Sequence, residues 1–365
     1  MKKKVYIISG ESSGDLHASN LVKGLNKISA NLEFRAWGGV RLKNEGVYID
    51  KDINDISFMG FVEVLLNIRV ILKNLKQCKQ NLVDFKPDLL ILVDYPGFNL
   101  RIAKWAKNQN IPVFYYISPQ IWAWKKSRIY KIKKYISRMY CILPFEKDFY
   151  ANLGLSVSYF GHPLLDEIRL FNDVSNEVVL SDKKIIALLP GSRKQEIERK
   201  LPIMIESCST YPEYSCFVAC ASNLDISFYD KYKAENIVFV QNATYSLLQK
   251  ADLAIVASGT ATLETALFKV PQIVCYKTSK ISYYIAKVLV KIKYISLVNL
   301  ILNKKAVVEL IQDECNTTNI VKELNKIISD KDERHRIQSC YNELIYLLKE
   351  EGASERIAHD MLKWF

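Results

Sequence analysis

Short apolar runs, four or five residues long, recur along the chain, and each gives way to small or polar residues. They fall at 5–8, 34–37, 89–93, 113–117 and 139–143, and again at 185–189, 216–219, 237–240, 253–256 and 273–276. Runs of this length closed by turn residues predict buried strands rather than helices. Helical patterns lie between most of them, and strands alternating with helices predict a parallel α/β architecture. The two series predict two doubly wound, Rossmann-like α/β domains, residues 1–165 and 183–330. They are expected to face a central cleft, with ligand beyond the carboxyl ends of the strands. The more polar stretch 163–182 is expected to hold the crossover, and 331–365 reads as two further helices.

The chemistry gathers where apolar runs end. Ala257-Ser258-Gly259-Thr260-Ala261-Thr262-Leu263-Glu264 follows the run 253–256 and opens a helical segment at 263–268. A small-residue turn before a helix leaves backbone N–H groups and the positive end of the helix dipole for an anion such as phosphate. Gly259 lets a ligand approach the backbone. Ser258, Thr260 and Thr262 add hydroxyls, and Glu264 is placed to accept from ribose hydroxyls. A well-capped helix without ligand is the bland alternative.

Three other strand ends carry similar punctuation. Ser9 to His17 includes Glu11, Ser13, Gly14 and Asp15 but does not fit GxGxxG. Helix capping by Asp15 explains it as well as a ligand does. Asp94-Tyr95-Pro96-Gly97-Phe98-Asn99 follows the run ending at Val93, where such folds put catalytic carboxylates. Pro190-Gly191-Ser192-Arg193 is another phosphate-shaped turn, here with a guanidinium for bidentate contact.

Composition narrows the partners. Hydrophobic residues at 49% and charged residues at 25% are ordinary for a globular protein, and 365 residues suit two domains. The net charge of +12 is not ordinary and points to an anionic partner. No nucleic-acid motif accompanies it, so a phosphorylated substrate or an anionic membrane surface is favoured over nucleic acid. No apolar run reaches membrane-spanning length, because Lys287, Lys291 and Lys293 interrupt the best candidate, 281–302. Met1-Lys2-Lys3-Lys4 is followed by too short an apolar run for a signal peptide. The eight cysteines lack metal spacing and read as buried thiols of a cytosolic protein.

Ser118 to Trp124 is expected to open a basic helix. Lys125, Lys126, Arg128, Lys131, Lys133, Lys134 and Arg138 follow without an acid, and Ile129, Ile132 and Ile136 share one face. It suits an acceptor phosphate or anionic lipid, or is simply a solvated face. The apolar segments 58–66 and 280–291 read as core stripes or as interfacial surface for a lipid-bearing substrate. Asp50-Lys51-Asp52 and Asp330-Lys331-Asp332 have the DxD form. Neither follows a buried strand, so they read as loop and cap residues, and no metal or cofactor is expected.

The motifs in this order resemble the lipid-A-disaccharide synthase family, inverting glycosyltransferases of the GT-B fold. The matching pieces are SGESSGDLH (9–17), WGGVRL (37–42), FMGFVEVL (58–65), VDYPGFN (93–99), ISPQIWAW (117–124), LPFEKDFY (143–150), FGHPLLD (160–166), LLPGSRKQEI (188–197), ASGTATLE (257–264), SLVNLIL (296–302) and VVELIQ (307–312). Gly97 stands where the family often has a second Asp, and Val298 where it usually has Pro. The resemblance implies condensation of UDP-2,3-diacylglucosamine with 2,3-diacylglucosamine 1-phosphate (lipid X), giving a β-1,6 disaccharide 1-phosphate and UDP. It implies Asp94 as general base, with His17 as the other candidate. Arg193 and the Ser258–Thr262 turn would hold the pyrophosphate and Glu264 the ribose. Glu11, Ser13, Gly14, Asp15, Asn99, Asn299 and Gln312 are assigned to substrate by motif position. The implied setting is cytoplasmic, on the inner-membrane surface of a Gram-negative bacterium, and the C-terminal helices are compatible with return to the first domain or exchange in a homodimer. A UDP-sugar epimerase of similar fold and a non-catalytic membrane-binding protein remain as alternatives.

Overall fold

The computed structural model describes residues 2–55, 68–174, 182–290, 292–349 and 351–364. The segment 58–66, read above as apolar, lies outside the described residues. The chain divides into two compact units, Met1–Asp166 with Lys349–Phe365, and Glu167–Leu348.

The first unit is built on strands β1 (Lys3–Ser9), β2 (Leu32–Gly38), β3 (Tyr48–Asp52), β4 (Leu89–Val93), β5 (Val113–Tyr116), β6 (Arg138–Cys141) and β7 (Ser158–Tyr159). They pair in the order β3-β2-β1-β4-β5-β6-β7, and every recorded pairing is parallel. Helices cover both faces: α1 (Ser12–Ile28), the short α2 (Val40–Asn44), α3 (Ile68–Phe85), α4 (Pro96–Asn108), α5 (Ile129–Tyr135), α6 (Glu146–Asn152) and α7, which starts at Leu164. Two-sided burial explains why β1 reads as continuous apolar sequence: Tyr6 and Ile8 join one core, Val5 and Ile7 the other.

The second unit has β8 (Lys184–Leu189), β9 (Tyr214–Cys220), β10 (Ile237–Gln241), β11 (Leu253–Ala257), β12 (Gln272–Tyr276) and β13 (Val308–Ile311), ordered β10-β9-β8-β11-β12-β13 and again parallel in every recorded pair. Its helices include α8 (Lys194–Cys208), α9 (Thr244–Lys250), α10 (Thr260–Leu267), α11 (Lys280–Leu289), α12 (Leu297–Leu302), α13 (Thr317–Ser329) and α14 (Lys331–Leu348).

The last helix, α15 (Ala353–Leu362), belongs to the first unit. Asp166 holds its start, accepting the N–H groups of Gly352, Ala353 and Ser354. The hydroxyl of Tyr140 donates to Asp360 at 3.0 Å. The segment 331–365 is thus divided, α14 with the second unit and α15 with the first.

All ten expected strands form. Three more were not anticipated. β3 and β7 are polar or very short strands, and Glu309 interrupts the apolar character of β13. β3 corrects the reading of Asp50 as a loop residue. Its carboxylate accepts from the Tyr6 hydroxyl at 2.6 Å and from Arg35, so it closes a sheet edge. Asp330 accepts from the N–H groups of Asp332 and Glu333 as a helix cap. The basic helix is also shorter than expected. Residues 118–125 form a loop, and only Ile129–Tyr135 is α-helical.

Sheet order fixes where ligand chemistry can sit. In the first sheet, chain order reverses between β1 and β4; in the second, between β8 and β11. Parallel α/β folds bind ligands beyond the carboxyl ends of the strands at such reversals. The four turns singled out in the sequence follow exactly these four strands.

Candidate active site

The carboxyl end of β4 is made from unusual backbone. Asp94 and Tyr95 are both left-handed, at φ +44° and +49°, and Ile117 beyond β5 is left-handed at φ +64°. For a β-branched residue this is a true outlier, and such residues cost about 1–3 kcal/mol each. The surroundings hold the turn in place. The Asp94 N–H donates to the Tyr116 carbonyl at 3.0 Å. Its carbonyl accepts from the Tyr115 hydroxyl at 2.5 Å and the Asn99 amide at 2.7 Å. The backbone is thereby fully engaged while the carboxylate is aimed elsewhere.

Burial pushes the Asp94 carboxyl up to about 7, and the charge of Glu11 adds to the rise. The Tyr95 N–H and, more weakly, the Arg128 guanidinium act in the opposite direction. A carboxylate with this affinity takes a proton near neutral pH, which is what a general base needs. Glu11 precedes α1 without capping it by its side chain.

Other first-unit candidates are placed differently. Ser13 is exposed and Gly14 buried. Asp15 is 2% exposed, and its carboxylate caps α2, accepting the N–H groups of Gly39 at 2.6 Å and Arg41 at 3.0 Å. It holds the WGG turn rather than capping its own helix. Asn99 is fully buried and spends its amide on the carbonyls of Val93 and Asp94, so it supports the turn from below. His17 is 4% exposed, and burial lowers its pKa to about 4. It sits beside His162, lowered to about 3 for the same reason. Burial thus keeps both imidazoles uncharged at neutral pH.

Sequence reasoning missed Glu146. It is buried at the start of α6, and its carboxylate accepts from the Ser118 hydroxyl at 2.6 Å, the Trp122 indole at 3.1 Å and the N–H groups of Leu143 and Ile142 at 3.0 and 3.3 Å. Burial raises its pKa to about 6 against the pull of these donors. Glu146 ties down the loop 118–125. Only its place in the LPFEKDFY motif hinted at this, since Glu in a first helical turn ordinarily signals no more than the dipole.

The second unit carries two turns. Gly191 has φ +109°, and a Cβ there would lie 2.6 Å from a Glu196 carboxylate oxygen. The backbone conformation favours glycine, whereas the carboxylate, at the end of a flexible side chain, would only have to swing aside. Arg193 precedes α8, is about half exposed, and donates to Glu196 at 3.3 Å. Beneath the turn lies Lys200, also missed. It is 3% exposed, burial lowers its pKa, and its ammonium is 3.8 Å from Glu196. Its Nζ lies 3.5 Å from where a Gly191 Cβ would sit. The KQEIERK run reads as a solvated face, so nothing in the sequence marked this lysine as internal.

At the β11 turn Gly259 adopts φ +154° and ψ −161°, a region essentially limited to glycine, with open space around it. Thr260 is exposed at the start of α10, and Ala261 is partly exposed. The Ser258 hydroxyl donates to the Ile295 carbonyl at 3.0 Å. The Thr262 hydroxyl turns inward to the Gly259 carbonyl at 2.8 Å, so it shapes the turn instead of adding a ligand donor. Glu264 accepts from the Tyr245 hydroxyl at 3.0 Å, and burial raises its pKa.

Asn299 and Gln312 are likewise braces. Asn299 is fully buried and makes four bonds, donating to Val307 O and Glu309 and accepting from Ala306 N and Val307 N. Glu309 in turn accepts the N–H groups of Ile295 and Ser296, beside the carbonyl that Ser258 reaches. Gln312 clamps both backbone groups of Thr278. Val298, which stands where the family usually has Pro, lies in the first turn of α12, where N–H groups have no intrahelical partner and Pro is tolerated.

A family model described as lipid-A-disaccharide synthetase matches residues 5–362. The chain belongs to the lipid-A-disaccharide synthetase family. It is 40% identical to a lipid-A-disaccharide synthase of Syntrophus aciditrophicus over 98% of this chain and 96% of that one. It is 39% identical to lipid-A-disaccharide synthase 1 of Legionella pneumophila strain Paris, covering 96% and 94%. Family membership makes it a glycosyltransferase of lipid A biosynthesis. Among solved structures, UDP-GlcNAc 2-epimerase of Neisseria meningitidis bound to UDP-GlcNAc superposes with a TM-score of 0.65 at 14% identity, each chain fully covered. The calicheamicin glycosyltransferase CalG4 gives 0.62 at 13%, over 100% of this chain and 98% of the other. These likenesses show the fold alone, an α/β architecture with two parallel sheets shared by GT-B glycosyltransferases and UDP-sugar epimerases.

Proposed function

We propose that the protein condenses UDP-2,3-diacylglucosamine with 2,3-diacylglucosamine 1-phosphate in one inverting displacement, with Asp94 as base. The carboxylate of Asp94 removes the proton of the acceptor's 6-hydroxyl. That oxygen bonds to the donor's anomeric carbon, and the bond to UDP breaks with its electron pair on the departing phosphate. The single observation that carries this is the strained turn at the end of β4, which presents Asp94 with its pKa raised to about 7. Asn99 and Tyr115 are positioning residues for that turn.

The second unit is assigned the nucleotide. Gly191, Gly259 and the starts of α8 and α10 offer backbone N–H groups to the pyrophosphate, and Arg193 adds a guanidinium. The buried ammonium of Lys200 contributes charge from below, where low polarity strengthens it. Lys200→Met keeps the volume and removes an incompletely paired buried charge. It is expected to leave the melting temperature unchanged or higher and to weaken UDP binding about tenfold or more in calorimetry. Unchanged UDP affinity would reduce Lys200 to a brace for Glu196.

Association with an anionic membrane surface is assigned to α11, where Tyr284 and Val288 are 65% and 77% exposed beside Lys280 and Lys287. No helix among the described residues is long and apolar enough to cross a membrane. Among the same residues no group of three or more His, Cys, Asp or Glu could hold a metal. The test is turnover of both lipid substrates in detergent with EDTA, following UDP and disaccharide by mass. Disaccharide at an undiminished rate supports the reaction and its metal independence. UDP binding without disaccharide would sink the reading.

A further inference from the structure

The loop held by Glu146 ends in a cluster of cations that the catalytic reading leaves unused. Lys125 is left-handed at φ +53°, and its ammonium lies 4.5 Å from the centre of the Trp124 ring. The Arg128 guanidinium lies 4.9 Å from the same ring. Arg101 on α4 and Lys131 on α5 are close enough to depress the pKa of Lys125, as Arg128 does more strongly, although burial is the largest cause. None of these four side chains makes an ion pair among the described residues. Arg128 is only partly exposed, and burial lowers its pKa. Like charges gathered on an aromatic platform repel one another, and a bound dianion relieves that repulsion.

The position of Arg128 is informative. Its charge and that of Asp94 influence each other's proton affinity, yet the two form no ion pair. A group bound by Arg128 therefore lies near the base without neutralising it. In the acceptor, the phosphate on C1 and the hydroxymethyl carbon C6 on C5 flank the ring oxygen, so the phosphate and the attacking oxygen are held a short distance apart within one sugar. The same separation is needed between a phosphate receptor and the base.

We propose that Arg128, Lys125 and Arg101, with Trp124 as platform, bind the phosphomonoester of the acceptor and so set acceptor specificity. This rests on the reaction proposed above. The donor's phosphates have their own turns in the second unit. A membrane surface, assigned above to α11, would also attract the exposed Lys126, Lys131, Lys133 and Lys134, but does not require a partly buried guanidinium.

The experiment compares two acceptors, 2,3-diacylglucosamine 1-phosphate and the same sugar lacking the phosphate, on wild type, Arg128→Gln and Arg128→Lys. The wild type is expected to prefer the phosphorylated acceptor. Arg128→Gln should lose about 10- to 100-fold in kcat/KM on it, mainly through KM, but no more than about threefold on the dephosphorylated one. Arg128→Lys should recover part of the preference. Because both acceptors use the same base, their ratio cancels any effect on Asp94. An equal loss on both acceptors, a rise confined to the donor KM, or no preference in the wild type would overturn the proposal. So would an unchanged ratio with weakened binding to vesicles containing anionic phospholipid, which would assign the cluster to the membrane. If Arg128→Gln does not fold, Lys125→Gln, at an exposed side chain, carries the same comparison. Absence of disaccharide from either acceptor in the wild type would instead remove the reaction on which the proposal rests.

Discussion

Asp94→Asn is expected to remove most turnover and, at neutral pH, to make the protein harder to unfold. The amide cannot take the acceptor's proton, so kcat should fall by about 10²- to 10⁴-fold. The stability effect follows from linkage. The Asp94 pKa is raised in the fold from 3.8 to about 7. Its contribution to stability is therefore fully present below its unfolded value and is lost as pH rises through about 7, because the fold must then hold a desolvated charge. Asparagine has no such loss. The advantage of the variant should already be partly developed near pH ~5, grow to its full size by pH ~8 and vanish below pH ~4, reaching at least a few degrees in melting temperature. The wild-type kcat/KM should rise with pH through about 7 and level off above it, since the base acts only when ionised. Melting curves at these pH values and a pH–rate profile check both halves. A variant that keeps its activity would move the proton transfer elsewhere, and an acid limb near pH ~4 would show that Asp94 is not poised as described.

Such a trade between stability and activity fits how the site is built, and it explains what the sequence could and could not reveal. The four turns at the sheet reversals were legible because a strand end is a local pattern: an apolar run followed by Gly, Ser, Asp or Pro. Sheet order then decides that all four lie at reversals. Asp15, Asn99, Thr262, Asn299 and Gln312 are assigned to substrate by motif position, and the bonds they make inside the fold were not legible in the sequence. Each carries a polar group at a strand end or helix start that bonds backbone, nearby in sequence for Asn99 and Thr262 and distant for Asp15 and Gln312. Asp15 finds Gly39 and Arg41, 24 and 26 residues on, and Gln312 finds Thr278, 34 residues back. No periodicity encodes such pairings. The buried charges Glu146 and Lys200 were missed for the converse reason: charged residues on a helix read as its solvated face until the packing is known. His17 looked like a base because histidine titrates near neutrality when exposed, whereas burial takes it to about 4.

Glu146→Gln should be strongly destabilising for so conservative a change. The carboxylate serves four donors, the Ser118 hydroxyl, the Trp122 indole and the N–H groups of Ile142 and Leu143. Glutamine keeps one acceptor oxygen and turns an NH2 group towards donors that now have nothing to bond. Leaving buried donors unpaired costs about 1–3 kcal/mol each, and breaking a buried charged network about 3–5 kcal/mol in all. For a unit of this size that is a fall of about 10 °C in melting temperature. Function should suffer beyond stability, because Ser118 and Trp122 begin the loop that carries Trp124, Lys125 and Arg128. At a temperature where the variant is still folded, KM for the phosphorylated acceptor should rise while UDP affinity, proposed above to reside in the second unit, stays as in the wild type. A melting temperature within about 2 °C of wild type with unchanged acceptor KM would mean that the edge-on packing of Trp122 against Phe145, with ring centres 5.1 Å apart, suffices to hold the loop.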